Sequence, residues 1–563
     1  MNGSRAVREK SLARRDVLAR MAAEEVDLLV VGGGATGAAV ARDAALRGLS
    51  VALCEAGDFA SQTSSHSSQL IHGGLRYLQY GDLHLVFEGL TERRHLMTTA
   101  PHLCRPIEFL FPAYAGERPG LRTLGAGIAL YNALALWRPP AAARRLPAGE
   151  VYEACPSLRS AGLTGAQLYV DCQTDDARLV LENVLDAESS GALAASYLPV
   201  RQIVRDRAGR ARGALAVDEE SGQTIAIRAR VVVNATGPFS DSFDLGRHNL
   251  RPTLGVHLVF DAARIPLGGR ALVLRTPRDN RLFFALPAGA RTVIGTTDTD
   301  WEDGAENAAD SARGSPAPPR VGDPIRARRA DVAYLLEAAN HAFPPAALGE
   351  GDVISTYAGL RPLIAVPAHT PSATSREHEI LREPDGVISV VGGKLTTMRR
   401  MAEEIVDRVA ERLRDLGGEG AIGPCLTAER PLPGGDGDPP DLGTNELAPE
   451  IARHLRRTYG VRAGRVATLA TEAPSLMARI DPELPYLWAE VVHAARHDHA
   501  RTVEDALRRR IPLYRHARDQ GLGAAERAGD LLAGVLGWSA AVRAASVGAY
   551  HQAVALSRAW KDD

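Results

Sequence analysis

Apolar residues form the clearest pattern of the chain at positions 26–56, where two apolar runs flank a segment with helical spacing. The runs VDLLVVGGG and LSVALCEAG are typical of buried strands, and ATGAAVARDAALRG between them is typical of a helix. This order predicts a βαβ unit. Two later runs, ARVVVNATGP at 229–238 and GVISVVGGKLTT at 386–397, are β-branched and end in glycine-containing turns. We therefore expect them to be further strands of the same buried parallel sheet.

The region between those two later runs has a different pattern. Its apolar segments are short and are spaced as in an antiparallel sheet: TLGVHLVFD, ALVLR, RLFFALPAG and RTVIGTTDTD. A second domain should therefore interrupt the first. After a Pro- and Gly-rich linker, helical spacing of apolar residues returns in EIARHLRRTYGV, YLWAEVVHAARH and AERAGDLLAGVLGW. The chain should thus end in a small helical domain.

Composition narrows the class of protein. A length of 563 residues exceeds what one core accommodates, and 45% hydrophobic with 24% charged residues is the balance of a globular protein. A net charge of −2 gives no electrostatic reason to expect a nucleic-acid partner. The five cysteines form no Cys-x-x-Cys pair and show no zinc-ligand spacing, so we expect free thiols in a reducing compartment and no metal site.

No apolar run is long enough to span a bilayer. The basic residues near the N-terminus are not followed by the apolar segment of a signal peptide. The longest candidate, LRTLGAGIALYNALALW at 121–137, is interrupted by Arg122, Thr123 and Asn132. It predicts an amphipathic helix that either packs on its own domain or lies on a membrane surface, and both interpretations stay open.

Gly32, Gly34 and Gly37 form the motif G-x-G-x-x-G between the first strand and its helix. The first glycine permits a tight turn, the second lets a pyrophosphate approach the backbone, and the third allows close helix–strand packing. The helix N-terminus offers N–H groups to the phosphates. Glu55 ends the second strand eighteen residues after Gly37, where a carboxylate can accept hydrogen bonds from a ribose diol. The unit predicts a dinucleotide site.

NAD and FAD share this fingerprint, and the later glycine turns decide between them. NATGP at 234–238 and VVGGKLTT at 390–397 each close a strand and bring a further turn to the nucleotide. An extended FAD touches several strand ends, whereas NAD would not need three separated turns. We therefore predict FAD. The fold class is then α/β plus α+β: a Rossmann-type FAD-binding domain interrupted by an antiparallel-sheet substrate domain, with a C-terminal all-helical domain.

The predicted domain boundaries follow these patterns. They are a basic N-terminal extension at 1–25, a discontinuous FAD-binding domain at 26–100, 160–240 and 352–418, a substrate-binding domain at 101–159 and 241–351, the linker at 429–446, and the helical domain at 447–563.

A Ser-rich loop that runs into a glycine turn, SSHSSQLIHGGLRYLQYGDL at 64–83, closely resembles the FAD-dependent glycerol-3-phosphate dehydrogenases. The resemblance continues, in the same order, through TDDARLVLENV (174–184), NATGP (234–238), VIGTTDTD (293–300), YAGLRPL (357–363), VVGGKLTTMRRMAE (390–403), RHLRRTYG (453–460) and HARTVEDALRRR (499–510). It implies oxidation of sn-glycerol 3-phosphate to dihydroxyacetone phosphate and transfer of the electrons to a quinone. It also implies a cytoplasmic protein with a peripheral contact at the inner face of the cell membrane.

The resemblance also indicates the residues of the site. A phosphate dianion needs bidentate donors, for which Arg is suited, so the expected phosphate ligands are Arg76, Arg361, Arg376 and Lys394. The expected catalytic residues are His257, Lys394 and Arg361. The residues expected to contact FAD are Gly32, Gly34, Gly37, Glu55, Ser64, Ser65, Ser68, His72, Gly73, Ala235, Thr236, Gly237, Gly393, Lys394, Leu395 and Thr396.

Oxidation of the alcohol requires a base, because the hydroxyl proton must leave as the hydride departs from C2. A neutral imidazole suits that task near pH 7. His257 is the first candidate and His72 the second, ahead of Lys394; a core histidine that only packs is the alternative. A helix cap is predicted at Asp175, before ARLVLENVLDA, with direct catalysis as the alternative role, and further caps at the two threonines that follow Lys394.

Three positions depart from the family pattern: Gln69 where Lys is usual, Val256 where Ser is usual and Phe239 where Trp is usual. None of them removes a residue that the chemistry needs.

Two other functions stay open, namely a flavin oxidase of the same superfamily that uses oxygen, and a non-catalytic FAD-binding protein. The retained arginines disfavour the non-catalytic protein. A homodimer also stays open as the assembly.

Overall fold

The computed structural model describes residues 12–136, 142–242, 250–301, 319–364, 378–418, 420–442 and 447–563, without the side chains of Arg76, Gln79, Tyr80 and Ser242. Its strands form two sheets. They are β1 (Glu25–Val31), β2 (Val51–Cys54), β3 (Leu70–Ile71), β4 (Arg105–Tyr114), β5 (Arg144–Leu146), β6 (Leu163–Gln173), β7 (Leu193–Ala195), β8 (Val200–Arg205), β9 (Ala211–Val217), β10 (Thr224–Asn234), β11 (Leu250–Asp261), β12 (Ala271–Arg275), β13 (Leu282–Ala288), β14 (Arg291–Gly295), β15 (Thr299–Asp300), β16 (Ser355–Ile364), β17 (His378–Arg382) and β18 (Ile388–Gly392).

The α-helices flank the sheets and form the C-terminal region. They are α1 (Arg14–Ala23), α2 (Ala35–Leu46), α3 (Leu83–Thr99), α4 (Leu121–Leu134), α5 (Ala148–Ala154), α6 (Asp176–Ser189), α7 (Arg329–Ala342), α8 (Met398–Asp415), α9 (Pro449–Tyr459), α10 (Ala463–Glu472), α11 (Pro474–Met477), α12 (Trp488–His497), α13 (Leu513–His516), α14 (Ala525–Leu536) and α15 (Ala540–Arg558). The three C-terminal segments predicted as helices correspond to α9, α12 and α14.

The first sheet has the order β17-β18-β10-β1-β2-β7, and β8 and β9 extend it from β10. β1 is parallel to both β2 and β10, and β18 is parallel to β10, as predicted. Alternate residues of β1 face two different cores: Leu28 and Val30 pack with α2, α6 and α8, whereas Leu29 and Val31 pack with α1 and the β8–β10 meander. Burial on both faces explains why this strand is apolar throughout.

The second sheet has the order β15-β11-β14-β13-β12-β4-β6-β3, with β16 on β11 and β5 on β6. All neighbouring pairs are antiparallel except β4 and β12. The predicted fold class is confirmed, but β3, β6 and β16 belong to this sheet although the sequence-based boundaries assign their segments to the FAD-binding domain. Sheet membership depends on distant pairing, which local patterns do not reveal. The domain boundaries stay a proposal.

Buried ion pairs attach the helical region to the first sheet's domain. Asp58 pairs with Arg509 and Arg510, and Arg178 on α6 pairs with Asp498; all these side chains are buried. Removing one member of such a pair would leave a buried charge uncompensated. The helical region is therefore fixed to the body of the protein by charge as well as by apolar packing.

Three smaller predictions concern the linker, the cysteines and the segment at 121–137. The predicted linker at 429–446, described up to 442, is packed, since Leu432 is buried and its N–H donates to the Thr99 carbonyl (2.8 Å). All five cysteines are free thiols, as predicted. The segment at 121–137 forms α4, although residue 137 lies outside the described residues. No helix in the described ranges has the length and apolar character to cross a membrane.

Candidate active site

The glycine motif after β1 forms a cradle that has no room for side chains. Gly32 has a φ of +104°, and a Cβ there would lie 2.6 Å from the carbonyl oxygen of Ala235. A Cβ on Gly37 would lie 1.8 Å from the carbonyl oxygen of Gly32. Gly34 is the N-cap of α2. The backbone and the N-terminus of α2 are therefore open to an anionic group such as a pyrophosphate.

Glu55 directly follows β2 and lies beside this cradle. Its carboxylate accepts hydrogen bonds from the backbone N–H groups of Gly33 (2.5 Å) and Gly57 (2.8 Å). Burial raises the pKa of this carboxyl group, and the N–H groups act in the opposite direction. Ser64 supports the same turn, because its hydroxyl oxygen accepts from the N–H of Ala35 (2.9 Å). Glu55 thus shapes the glycine turn, and its contact with a ribose remains a proposal.

A continuous cavity of about 2140 Å³ joins the cradle to the face of the second sheet. Most of the predicted cofactor residues line it: Gly32, Gly34, Glu55, Ser64, Ser68, His72, Ala235, Thr236, Gly237, Gly393, Lys394, Leu395 and Thr396. Its size exceeds that of an ordinary small-molecule pocket, so an extended dinucleotide and a substrate can occupy it together.

Three predicted cofactor residues, Gly37, Ser65 and Gly73, are not among the residues that line the cavity. Gly37 lies under the glycine turn. The N–H of Gly73 donates to the hydroxyl of Tyr131 (2.8 Å), and the carbonyl of Ser65 accepts from the guanidinium of Arg515. These residues hold the surrounding loops in place, and any direct contact with the cofactor remains a proposal.

His257 lies on β11, on the strand of the second sheet where it was predicted. It lines the cavity although the residue is buried, and its Nε2 is 2.9 Å from the hydroxyl oxygen of Ser68. Its ring stacks on Tyr357 with a centroid distance of 4.5 Å and an interplanar angle of 10°. Burial, followed by the charges of Arg361 and Arg515, lowers the pKa of His257 well below its ordinary value. The imidazole is therefore neutral at neutral pH.

Arg361 on β16 also faces the cavity, and its guanidinium is held by specific partners. It donates to Asp298 Oδ1 (3.0 Å), to Thr296 Oγ1 (2.9 Å) and to the Thr297 carbonyl (3.1 Å). A Cβ on Gly255 would lie 2.4 Å from Arg361 Nη2, so the glycine makes room for the guanidinium. An ion pair with Asp298 thus orients Arg361. A phosphate bound there, as predicted, would share the guanidinium charge with the Asp298 carboxylate.

Lys394 follows β18 and lines the cavity with its ammonium group 4.1 Å from the ring centroid of Tyr77. The next turn binds the IHGG loop, because the N–H of His72 donates to Thr396 Oγ1 (3.2 Å). Thr397 is the N-cap residue of α8, as predicted, but its side chain makes no capping bond and donates to the Lys394 carbonyl. Thr396 is not a cap residue of α8, because it lies in the 3₁₀ turn before it and its hydroxyl accepts from His72. The cap predicted at Asp175 is confirmed.

Two predicted phosphate ligands cannot be placed. The backbone of Arg76 lies in a 3₁₀ helix at Leu75–Tyr80, but its side chain lies outside the described part of the structure. Arg376 lies in the undescribed range 365–377. His72, the second candidate for the base, does line the cavity, with its ring edge-on to Phe284 at 6.4 Å.

Sequence reasoning missed the contribution of the C-terminal region. His66 is buried at the cavity, its Nδ1 is 2.6 Å from the Gln62 carbonyl, and its Nε2 accepts from Arg508 (2.8 Å). The guanidinium carbon of Arg515 lies 4.4 Å from the ring centroid of Tyr357. Burial and the charges of Arg508 and Arg515 lower the pKa of His66. The motif HARTVEDALRRR at 499–510 contains Arg508 and ends before Arg515, and no local pattern indicated that either arginine returns to the site.

Only one of the three departures from the family pattern touches the cavity. Phe239 lines it, from the 3₁₀ helix Gly237–Ser242. Val256 points into the core on the opposite face of β11 from His257. Gln69 donates to Asp176 Oδ1 (3.3 Å) behind the Ser-rich loop.

Comparisons with known proteins relate this architecture to flavoenzymes. A family model described as FAD dependent oxidoreductase matches residues 27–408. A second, described as the C-terminal domain of alpha-glycerophosphate oxidase, matches residues 425–543. The first match confirms the prediction of FAD as the cofactor.

Relatives of known name extend over nearly the whole chain. The aerobic glycerol-3-phosphate dehydrogenase of Staphylococcus saprophyticus is 33% identical, covering 94% of this chain and 94% of the relative. The glycerol-3-phosphate dehydrogenase of Mycobacterium leprae is 36% identical, covering 97% and 91%. The structure of the glycerol-3-phosphate dehydrogenase from Bacillus halodurans complexed with FAD is similar with a TM-score of 0.76 and 30% identity, over 96% of this chain and 97% of that chain.

Proposed function

Because this chain belongs to the family of FAD-dependent glycerol-3-phosphate dehydrogenases, we propose that it oxidises sn-glycerol 3-phosphate to dihydroxyacetone phosphate and passes the electrons to a quinone. The observation that carries the proposal is one cavity that contains the glycine cradle, the neutral His257 and the cations Arg361 and Lys394. A phosphorylated alcohol needs this combination, because oxidation removes a proton and the phosphate brings a double negative charge.

His257 is the proposed base. It accepts the hydroxyl proton of the substrate at Nε2, the ring nitrogen that faces Ser68 in the cavity. Bound FAD supplies the acceptor for the hydride that leaves C2. The field of Arg361 and Arg515 disfavours an imidazolium, so a bound phosphate dianion would offset that field and increase the proton affinity of His257. Substrate binding would thus make His257 a stronger base.

The cations of the cavity are proposed to bind the phosphate. Arg361 presents a guanidinium whose orientation is set by Asp298, and Lys394 presents an ammonium group at the end of β18. Arg76 and Arg376 are proposed as additional ligands on the resemblance of their motifs alone. An amino-acid substrate would need a carboxylate site but not this number of cations.

Apolar residues of the cavity wall support a lipophilic acceptor, among them Leu124 on α4 and Val273 on β12. The helices α3 and α4 also leave large apolar side chains exposed, namely Leu83, Phe87 and Leu130. Such side chains favour a peripheral contact with a membrane, from which a quinone could enter the cavity.

The substrate class is tested by anaerobic mixing of the oxidised holoenzyme with glycerol 3-phosphate while flavin absorbance is recorded. We expect bleaching with glycerol 3-phosphate and none with glycerol, lactate or D-alanine. Bleaching by an amino acid, or no bleaching by glycerol 3-phosphate, would contradict the proposal.

The acceptor is tested separately with the reduced enzyme. We expect a soluble quinone analogue to reoxidise the flavin faster than oxygen does. Rapid formation of hydrogen peroxide, with turnover that is insensitive to the quinone analogue, would favour the oxidase instead.

A further inference from the structure

Arg275, at the end of β12, has a buried guanidinium nitrogen that lacks a hydrogen-bond partner among the described residues. The residue is half-buried and lines the cavity, and its Nη2 is the orphaned atom. Its Nη1 donates to the Asn280 carbonyl (3.2 Å) and, at 3.4 Å, to the Asn280 side-chain oxygen. A buried cationic donor without an acceptor is costly, so a partner from outside the chain would stabilise it.

Among the described residues, no carboxylate forms an ion pair with Arg275. The acidic neighbour Glu117 is engaged by Arg159, at 2.6 Å. The ring of Phe111 lies on another side, with its centroid 5.9 Å from the guanidinium carbon. Burial lowers the pKa of Arg275, against a weaker opposite effect of Glu117. The surroundings therefore reduce hydration of the guanidinium, and Glu117 compensates only part of this loss.

Two further arginines, Arg118 and Arg320, line the same cavity, and both are exposed. The backbone N–H of Arg320 donates to Asp323 Oδ2 (2.6 Å). In the described ranges, no ion pair forms with the guanidinium group of Arg118, Arg275 or Arg320. In a cleft with low-dielectric walls such positive charges focus the electrostatic field and attract anions.

Arg275 is separate from His257 and from Arg361, which lies on β16 beyond β11. Cross-strand pairing aligns Val273, Phe284, Gly295 and His257 in one row across β12, β13, β14 and β11. Arg275 lies two residues beyond that row. The usual strand spacing and rise then put the Cα atoms of Arg275 and His257 roughly 16 Å apart on the cavity-facing side of the sheet.

We propose that Arg275, assisted by Arg118 and Arg320, forms a second anion subsite that binds the phosphate group of a phosphate monoester as it enters the cavity. The inference rests on the proposed function in one respect, namely that the substrate carries a phosphate. The subsite holds the dianion at the far end of the cavity, from where it moves to Arg361 and Lys394. Its effect is on capture of the substrate, and the chemical step stays with His257.

The kinetic test compares Arg275→Gln with Arg278→Gln. Arg278 lies three residues away on the same hairpin, is exposed, pairs with Glu337 and is not among the cavity-lining residues. At low ionic strength we expect Arg275→Gln to lower kcat/KM for glycerol 3-phosphate by about tenfold, mostly through KM, and high salt to diminish the difference. Arg278→Gln should match the parent enzyme. Equal values of kcat/KM for Arg275→Gln and the parent at low salt would refute the subsite.

A binding test is independent of turnover. Calorimetric titration of the oxidised holoenzyme with inorganic phosphate should show binding that Arg275→Gln weakens by about tenfold and Arg278→Gln leaves unchanged. If glycerol 3-phosphate fails to reduce the parent flavin, the proposed function fails, and this titration still decides the subsite. Unchanged phosphate affinity in Arg275→Gln would overturn it.

Two other occupants are distinguished by further measurements. If Arg275→Gln sediments less with phosphatidylglycerol vesicles than the parent does, but binds inorganic phosphate equally well, the cation serves a lipid headgroup and the proposal is wrong. A raised KM for a soluble quinone analogue, with kcat/KM for glycerol 3-phosphate unchanged, would assign Arg275 to the acceptor and would also overturn it.

Discussion

Arg515 belongs to the helical region, yet its charge lies close enough to lower the pKa of the proposed base, His257. The ring of Tyr357 lies between the two groups. The Arg515 guanidinium carbon lies 4.4 Å from the ring centroid of Tyr357, which stacks on His257 at 4.5 Å. Burial and the charges of Arg361 and Arg515 together lower the pKa of His257. We therefore predict that Arg515→Gln, which removes the charge, makes His257 easier to protonate.

The size of the effect follows from the geometry. The two stacking distances place the guanidinium within about 9 Å of the imidazole, where an effective dielectric constant of about 20 gives a repulsion of roughly 1.8 kcal/mol. About 1.4 kcal/mol corresponds to a tenfold change in proton affinity. Since Arg515 and His257 are both buried, solvent screens this interaction only weakly.

The assay is the rate of anaerobic flavin reduction at saturating glycerol 3-phosphate as a function of pH. The base works only when neutral, so a higher proton affinity makes the rate fall off earlier on the acid side. We expect the acid limb of Arg515→Gln to lie about one pH unit above that of the parent. Arg515→Lys keeps the charge and should retain most of the parental profile.

Arg518→Gln is the matched control, because Arg518 is an exposed arginine three residues away that pairs with Glu483 and Asp261 at the surface. Its acid limb should coincide with that of the parent. An unshifted limb in Arg515→Gln, or an equal shift in Arg518→Gln, would show that the charge of Arg515 does not act on His257.

Three further predictions concern the base, the arginine pocket and the attachment of the helical region. His257→Ala should retain FAD but slow anaerobic flavin reduction by about a hundredfold or more, and a rate within a few fold of the parent would reject the base. Gly255→Ala places a Cβ 2.4 Å from Arg361 Nη2 and should raise the KM for glycerol 3-phosphate about tenfold. Gly149→Ala, which has open space around it, should leave this KM unchanged. Equal KM values for Gly255→Ala and the parent enzyme would contradict the role of the pocket. Asp58→Asn leaves two buried arginines uncompensated and should lower the free energy of unfolding by about 3–5 kcal/mol in denaturant titration, and a loss below about 1 kcal/mol would contradict this.

The parts of the site that could be predicted are those in which a short segment forms its own local structure. The turn at Gly32 needs a positive φ and a close approach of backbone, and both needs are visible in the glycine spacing. His257 could be placed on a strand because apolar residues alternate around it. Helix caps could be predicted only in part. The side chain of Asp175 caps its helix, whereas the side chain of Thr397 makes no capping bond.

The sequence by itself determined the FAD cradle, the βαβ unit, three of the C-terminal helices and the family to which the chain is similar, because these depend on residues close together in the chain. The tertiary structure alone decided that β6 and β16 join the second sheet, that Arg515 lies near a histidine from the other half of the chain, and that Arg275 Nη2 is buried without a partner among the described residues. These features depend on which distant residues share a buried environment. Pairing across hundreds of residues and the loss of solvent around a charge are properties of the packed chain, and no local pattern of residues encodes them.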